Sequence, residues 1–301
     1  MASPTKDKPI AALIKAWIDY TEGVFRIEQV YAAFPDYTKD PITKRYISNV
    51  LSRLVKDGYI ERDGAKYGYF RRVEKAIQRM DFINIDAKPI DIWLPLNLHK
   101  MIKLFPGEII IIAGAKSAGK TTFALNIAWA NRNTWTVNYY NSEMGAVALR
   151  HKLQLFDNTD LMEWAEKINF YSRSVNFEDV VDTSDKALNI IDYLEQPTDY
   201  WLVGASIAAI HRKIVNSNAN AVICLQKPKS RDEGIGGRGT LDKAMLYLAI
   251  NKGSAKIVDA KNWADKQGNP NDQECTFKLV HGSEIVLHSP WDTNNKDRWS
   301  M

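Results

Sequence analysis

The residues Gly114-Ala115-Lys116-Ser117-Ala118-Gly119-Lys120-Thr121 combine types and spacing suited to holding a polyphosphate. In the pattern G-x-x-x-x-G-K-[ST], two glycines let the backbone turn and approach an anion, and successive N–H groups converge on it. Lys120 can then reach the β- and γ-phosphates, the Thr121 hydroxyl can ligate Mg²⁺, and Thr122 continues the cradle into the next element. Three more side chains could complete phosphoryl chemistry. Glu143, in Ser142-Glu143-Met144, offers a carboxylate that can orient an attacking water or accept its proton. Asp192 closes the apolar run Ala187-Leu188-Asn189-Ile190-Ile191 and could hold Mg²⁺ through its water shell, with Glu195 a poorer second acid. Gln226 ends the run Ala221-Val222-Ile223-Cys224-Leu225 and could sense a γ-phosphate. ATP and Mg²⁺ are the cofactors this set implies.

Such groups work only if secondary structure brings them together. Residues 108–113 form a continuous apolar run that reads as a buried parallel strand, and residues 122–129 read as a helix. Residues 134–141, 187–193 and 219–226 read as further strands, which puts Glu143, Asp192 and Gln226 at strand exits. The carboxyl ends of parallel strands are where α/β sites form, so the expected class is α/β. The loop 227–240 is glycine-rich and carries Lys227, Lys229, Arg231 and Arg238. Residues 255–263 read as a late strand, and 273–280 with 284–288 as a closing hairpin around His281-Gly282-Ser283. The five histidines are scattered, and Cys224 and Cys275 lack metal-ligand spacing and read as core.

The first 80 residues hold 15 basic and 10 acidic side chains, while the 301-residue chain nets +4, so the basic excess lies ahead of the glycine loop. Such an excess suits a polyanionic partner. Residues 9–20 read as a helix, 23–27 as a short strand and 28–34 as a helix ended by Pro35. A longer helix runs from Pro41 to about Lys56, is capped by Asp40 and stops at Gly58; a hairpin turning at Asp63-Gly64 follows over 59–73. This order, with the segment Leu51-Ser52-Arg53-Leu54-Val55-Lys56-Asp57-Gly58-Tyr59-Ile60, resembles a winged helix-turn-helix domain, a small α+β fold, over about residues 8–75. The resemblance implies duplex DNA binding, with the third helix in the major groove and the hairpin on the backbone. Lys44, Arg45, Asn49, Arg53, Lys66, Arg71 and Arg72 are then the candidate contacts. Winged helices also dock proteins, and that reading stays open.

The composition, 45% hydrophobic and 25% charged, is that of an ordinary globular chain. No apolar run is long enough to span a bilayer, and the first residues lack the apolar core of a signal peptide. With only two cysteines, the expected location is the cytoplasm, with no membrane partner.

Pro106-Gly107-Glu108, the glycine loop, Ser142-Glu143-Met144, Ile190-Ile191-Asp192-Tyr193-Leu194 and Leu225-Gln226 occur in one order. That order resembles the RecA-like ATPases, nearest the DnaB/RadA/KaiC branch, over about residues 90–288. The resemblance implies a twisted, mostly parallel sheet flanked by helices, with ATP held between subunits of a ring or filament. It makes Glu143 the catalytic carboxylate, Lys120 and Gln226 its helpers, and the loop 227–240 the lining of a channel for single-stranded DNA. A connector role for that loop stays open. In DnaB-like helicases a Lys, and an Arg two residues on, reach the neighbouring subunit's γ-phosphate; here Lys261 matches the Lys, while Trp263 stands at the Arg position. The expected layout is a winged helix over 1–76, a linker over 77–105, a RecA-like ATPase over 106–290 and a polar tail over 291–301. The expected function is a Mg²⁺-dependent, self-assembling ATPase that binds DNA in replication, recombination or a related transaction. A nucleotide-gated DNA-binding regulator and a helicase loader or adaptor are the alternatives.

Overall fold

The computed structural model describes residues 7–21, 23–39, 41–64, 67–74, 79–85, 87–157, 159–195, 202–266 and 268–293. The chain divides into two compact units, Met1–Ile85 and Asp86–Met301. Among the described residues no helix is long and apolar enough to cross a membrane.

The first unit contains α1 (Asp7–Tyr20), β1 (Val24–Arg26), α2 (Ile27–Ala33), α3 (Pro41–Lys56), β2 (Ile60–Arg62) and β3 (Tyr69–Arg72). Ile10, Ile14 and Ile18 recur every fourth residue on α1, and Ile47, Val50 and Leu51 form the inner stripe of α3. These two stripes close on Phe25, Val30, Ile60 and Phe70 to make one core. The three strands are antiparallel in the order β1-β3-β2, with Phe25 opposite Phe70. Gly58, at φ 65°, ends α3, where Tyr59 N–H turns back to the Leu54 carbonyl at 2.9 Å. The β2–β3 connection is wider than a two-residue turn, since Asp63 N–H bonds the Tyr69 carbonyl at 3.0 Å and both Gly64 and Gly68 take positive φ. Asp40 and Lys66 lie outside the described residues.

The second unit is built on a sheet of nine described strands: β4 (Ile109–Gly114), β5 (Thr136–Asn141), β6 (Ile168–Ser172), β7 (Ala187–Asp192), β8 (Asn220–Gln226), β9 (Ala244–Asn251), β10 (Ser254–Ala260), β11 (Gln273–Val280) and β12 (Glu284–Thr293). Their order is β12-β11-β10-β9-β4-β8-β7-β5-β6. The strands from β9 to β6 are mutually parallel, and β10, β11 and β12 add on antiparallel. Every residue of β4 and β7 is buried, as the unbroken apolar runs require for strands covered on both faces. Ile110 and Ile112 face α4 (Lys120–Asn131) with Phe123, Leu125 and Ile127, while Ile109 and Ile111 face α7 (Val203–Ile214) with Ile207, Ile210 and Ile214. Between β5 and β6 the chain adds α5 (Ala146–Leu153) and α6 (Leu161–Lys167). This is the expected mostly parallel sheet flanked by helices.

Two boundaries and one strand differ from the sequence reading. Within the expected linker over 77–105, the apolar stretch around Ile92 packs on its own unit, as its composition favours. Ile92, Leu94, Leu96 and Leu98 alternate into the core, and Asn131 brackets Trp93 by accepting from its N–H at 2.8 Å and donating to its carbonyl at 2.9 Å. The expected tail begins later than 291, because β12 runs on to Thr293 and Trp291 Nε1 donates to the Leu96 carbonyl at 2.7 Å. Residues 294–301 lie outside the described residues. The apolar run of β9, which the sequence reading did not single out, is an interior strand between β4 and β10.

Candidate functional site

β4 delivers Gly114 to the carboxyl edge of the sheet, where it pairs with Gln226 of β8 and Ile250 of β9. The turn that follows is tied down on three sides. Ala115 N–H donates to the Ile250 carbonyl at 3.1 Å, Lys227 N–H to the Gly114 carbonyl at 3.0 Å and Ala118 N–H to the Ala115 carbonyl at 3.1 Å. A side chain on Gly114 would collide with the Lys120 stem and lie 2.9 Å from Ile250 Cγ1. Gly119 takes φ 101°, and a Cβ there would lie 2.9 Å from Leu279 Cδ1. Among the described backbone hydrogen bonds none uses the N–H of Ser117, Gly119, Lys120 or Thr121. Free donors at a helix start are the groups an anion would need. The Lys120 ammonium rests 3.3 Å from the Gly114 carbonyl and 5.6 Å above the Tyr193 ring.

Asp192 ends β7 beside this loop and is 2% exposed. Its Oδ2 accepts the Tyr139 hydroxyl at 2.7 Å, while its buried Oδ1 has no hydrogen-bond partner. Burial pushes its carboxyl up, against the Tyr139 and Thr121 hydroxyls and the Lys120 charge, which pull it down. Burial and the Asp192 charge in turn push the Tyr139 phenol well up. A buried carboxylate oxygen left unpaired near a threonine hydroxyl is a pair of hard donors of the kind Mg²⁺ takes. Elsewhere, no group of three or more His, Cys, Asp or Glu able to hold a metal occurs among the described residues.

Glu143 leaves β5 exposed, on a turn fixed by Asn141. The Asn141 side chain accepts from Glu143 N–H at 3.3 Å and Met144 N–H at 2.9 Å, and donates to the Met144 carbonyl at 2.5 Å. Ser142 links this turn to the exit of β7, donating to the Tyr193 carbonyl at 2.7 Å and accepting from Tyr193 N–H at 2.9 Å. An open cleft of about 620 Å³ results, lined by Lys116, Ser117, Gly119, Lys120, Thr121, Thr122, Glu143 and Gln226. The sequence-predicted phosphate, water and sensor groups therefore share one cleft, while Ala115, Ala118 and Asp192 are buried and do not line it.

The same cleft contains residues the sequence reading missed. Met144, Tyr193, Leu279, Gly282 and Lys152 also line it. Lys152 comes from α5, and its half-buried ammonium donates to the Gly282 carbonyl at 3.0 Å; burial lowers its pKa. Its one sequence signal is weak: a lysine nine residues beyond Glu143, on the helix that follows.

Other predicted residues lie elsewhere. Lys261 is exposed beyond β10, its N–H bonded to the Met245 carbonyl and its Nζ 3.3 Å from the Asp242 carbonyl. Met245 sits five residues before Ile250, the β9 partner of Gly114. At about 3.3 Å per residue, Lys261 is roughly 17 Å along the sheet from its own glycine loop. It cannot touch a phosphate held there. Trp263 packs on the chain's own core and donates to the Ala260 carbonyl at 2.7 Å.

In the 227–240 loop, Lys229, Arg231 and Arg238 are exposed. Lys227 is not: it is 2% exposed, with Nζ donating to the Arg231 carbonyl at 2.8 Å and Asn251 Oδ1 at 2.9 Å. This corrects its place among the DNA contacts, since the ammonium is spent inside the loop. The loop base is held in turn by Gly234 N–H on the Tyr247 hydroxyl at 2.7 Å.

In the first unit Arg45, Asn49 and Arg53 are exposed at four-residue spacing on α3, with Lys44 beside them 4.8 Å over the Tyr31 ring. Arg71 pairs with Glu61 at 2.5 Å, and Arg72 with Glu74 at 3.1 Å and Asp19 at 3.6 Å, so both hairpin arginines already have carboxylate partners.

No protein-family model and no curated protein matches the chain. Among solved structures it is similar to a KaiC-like protein from the hyperthermophilic archaeon Pyrococcus horikoshii, with a TM-score of 0.53 and 14% identity, over 67% of this chain and all of that one. At that identity the likeness is one of fold: the nine-stranded, mostly parallel sheet has the RecA-like architecture.

Proposed function

We propose that this chain is a Mg²⁺-dependent ATPase with a RecA-like core and an N-terminal winged helix, which self-assembles and acts on DNA. The observation that carries the ATPase reading is the orphaned Oδ1 of Asp192, buried beside Lys120 and Thr121 of a cleft whose loop donors are free. Unpaired buried carboxylate oxygen is costly, by about 1–3 kcal/mol for a polar group and more for a charged one, and a cation offsets that cost. Asp192 and Thr121 would hold the Mg²⁺, which when bound neutralises charge on the phosphates.

The loop N–H groups with Lys116 and Lys120 grip the polyphosphate, and Lys152 adds a further cation from the opposite wall. Glu143, exposed to solvent in the cleft, orients the attacking water and takes its proton. Gln226, on the strand next to Gly114, carries the state of the terminal phosphate into the 227–240 loop. Its exposed Lys229, Arg231 and Arg238 suit a single strand's phosphates, and Arg45, Asn49 and Arg53 suit a duplex groove. Lys261, too far from its own site, would serve a neighbouring copy's in a ring or filament.

Trp263 supports a second reading. With a core-packed tryptophan where an arginine would reach the next subunit, hydrolysis is slow and acts as a timer on a DNA-bound regulator. The test is the steady-state ATPase rate without nucleic acid, with single strands and with duplex, using Lys120→Ala as the blank. Stimulation by single strands supports a motor or recombinase-like protein, and stimulation by duplex alone supports the regulator. Stimulation by neither, with a rate above the blank, points to a loader or adaptor that awaits a protein. A rate equal to the blank in all three refutes the ATPase reading.

A further inference from the structure

The turn between β11 and β12 reaches back over the phosphate cleft, about 160 residues downstream of the loop it covers. Its attachments are of two kinds. Ser283, 3% exposed, donates to the Leu155 carbonyl at 2.6 Å, and its own carbonyl accepts from Asn126 Nδ2 at 2.7 Å. These neutral bonds lie outside the cleft lining. The Gly282 carbonyl instead lines the cleft and accepts from Thr122 Oγ1 at 3.3 Å and from the Lys152 ammonium at 3.0 Å. Lys152 takes part in none of the described ion pairs. A half-buried ammonium with one carbonyl partner, facing a cleft full of phosphate donors, is set to exchange that carbonyl for an anion.

We propose that Lys152 and the Gly282 carbonyl form a latch that polyphosphate opens: an anion in the cleft draws the ammonium off the carbonyl and loosens the β11–β12 turn from α5. The latch rests on the reading of the cleft as a nucleotide phosphate site. The Gly282 carbonyl offers the ammonium a dipole, whereas a phosphate offers it a full counter-charge, so the exchange runs toward the ligand. Burial lowers the Lys152 pKa, and the Asp192 charge acts in the opposite direction. By linkage, whatever holds the turn closed weakens phosphate binding by the same factor. The antiparallel edge of the sheet thereby reports whether the cleft is full.

The test is amide hydrogen exchange in the full chain, with and without saturating Mg²⁺ and a non-hydrolysable ATP analogue. Slower exchange at 116–121 reports an occupied loop, and exchange at 281–283 reports the latch. In the wild type the analogue should slow the loop and speed the turn about tenfold or more, the factor carried by one hydrogen bond to a charged group. Lys152→Met keeps the stem and removes the charge; its turn should exchange fast without ligand and not respond to it. A protected loop with an unchanged turn in the wild type overturns the latch alone, as does a Lys152→Met turn as slow as wild type. An unprotected loop overturns the phosphate reading and the latch with it.

Discussion

Replacing Gly119 by alanine perturbs the phosphate loop in two separable ways. The first is backbone. Gly119 sits at φ 101°, where an L side chain is strained by about 1–3 kcal/mol. The second is contact. The new Cβ would lie 2.9 Å from Leu279 Cδ1, well inside the roughly 3.5–4.0 Å at which carbons attract. Leu279 is 37% exposed and its methyl is the far end of a flexible side chain, so turning it aside costs about 0.5–1.5 kcal/mol. The backbone effect therefore dominates. A unit the size of Asp86–Met301 loses about 2–4 °C of Tm per kcal/mol, so the two costs together, roughly 1.5–4.5 kcal/mol, should lower the Tm of Gly119→Ala by roughly 3–18 °C. Calorimetry on Gly119→Ala, Leu279→Ala and the double variant separates the two causes. Leu279→Ala should rescue only the minor part. Full rescue, or no loss at all in Gly119→Ala, would refute the left-handed glycine as the hinge of this loop.

Glu143→Gln should leave analogue binding within a factor of about two and cut ATP turnover by about 10²–10⁴, the range for a lost general base; near-normal turnover in a steady-state assay removes Glu143 from the chemistry. Burial pushes the Glu108 carboxyl up from 4.5 to about 7, against bonds from Phe105 N–H and Asn262. The folded state therefore binds that proton more tightly than the unfolded one, and stability is greatest below about pH 4.5 and falls as pH rises to about 7. Glu108→Gln should flatten this part of the urea-midpoint profile between those limits, and an unchanged slope would contradict the assignment. Replacing Arg45 and Arg53 by alanine should weaken duplex binding and lower the salt slope by about 2 if both meet phosphates. Duplex affinity unchanged in a fluorescence titration would turn the first unit into a protein-docking module.

The central strands and the cleft groups at their exits were legible because burial on both faces leaves unbroken apolar runs that end in polar residues. Asp192 and Gln226 follow that rule, while Gly114 was legible from the glycine-loop pattern and Glu143 from its place just past a strand exit. What was not legible depends on contacts between distant segments. Lys152 enters the cleft only because α5 lies against a turn some 130 residues later. Lys227 and Lys229 look alike in sequence, yet Asn251 on β9 draws one inside and leaves the other out. The apolar residues of 92–96 mark that stretch as one that packs on its own unit, but not where: Asn131, on a helix over 30 residues away, supplies the hydrogen bonds that pin it. Trp263 was noted as a departure from a pattern; its packing on the chain's own core supplies the physical reason it sits there.

The measurement that bears most directly on the account is the Mg²⁺ dependence of ATP affinity in the wild type and in Asp192→Asn, by equilibrium titration of a fluorescent analogue. If the orphaned carboxylate oxygen is half of a cation site, Mg²⁺ should tighten binding to the wild type at least tenfold, about 1.4 kcal/mol, and leave Asp192→Asn nearly unmoved. Equal responses to Mg²⁺ in the two proteins would contradict it.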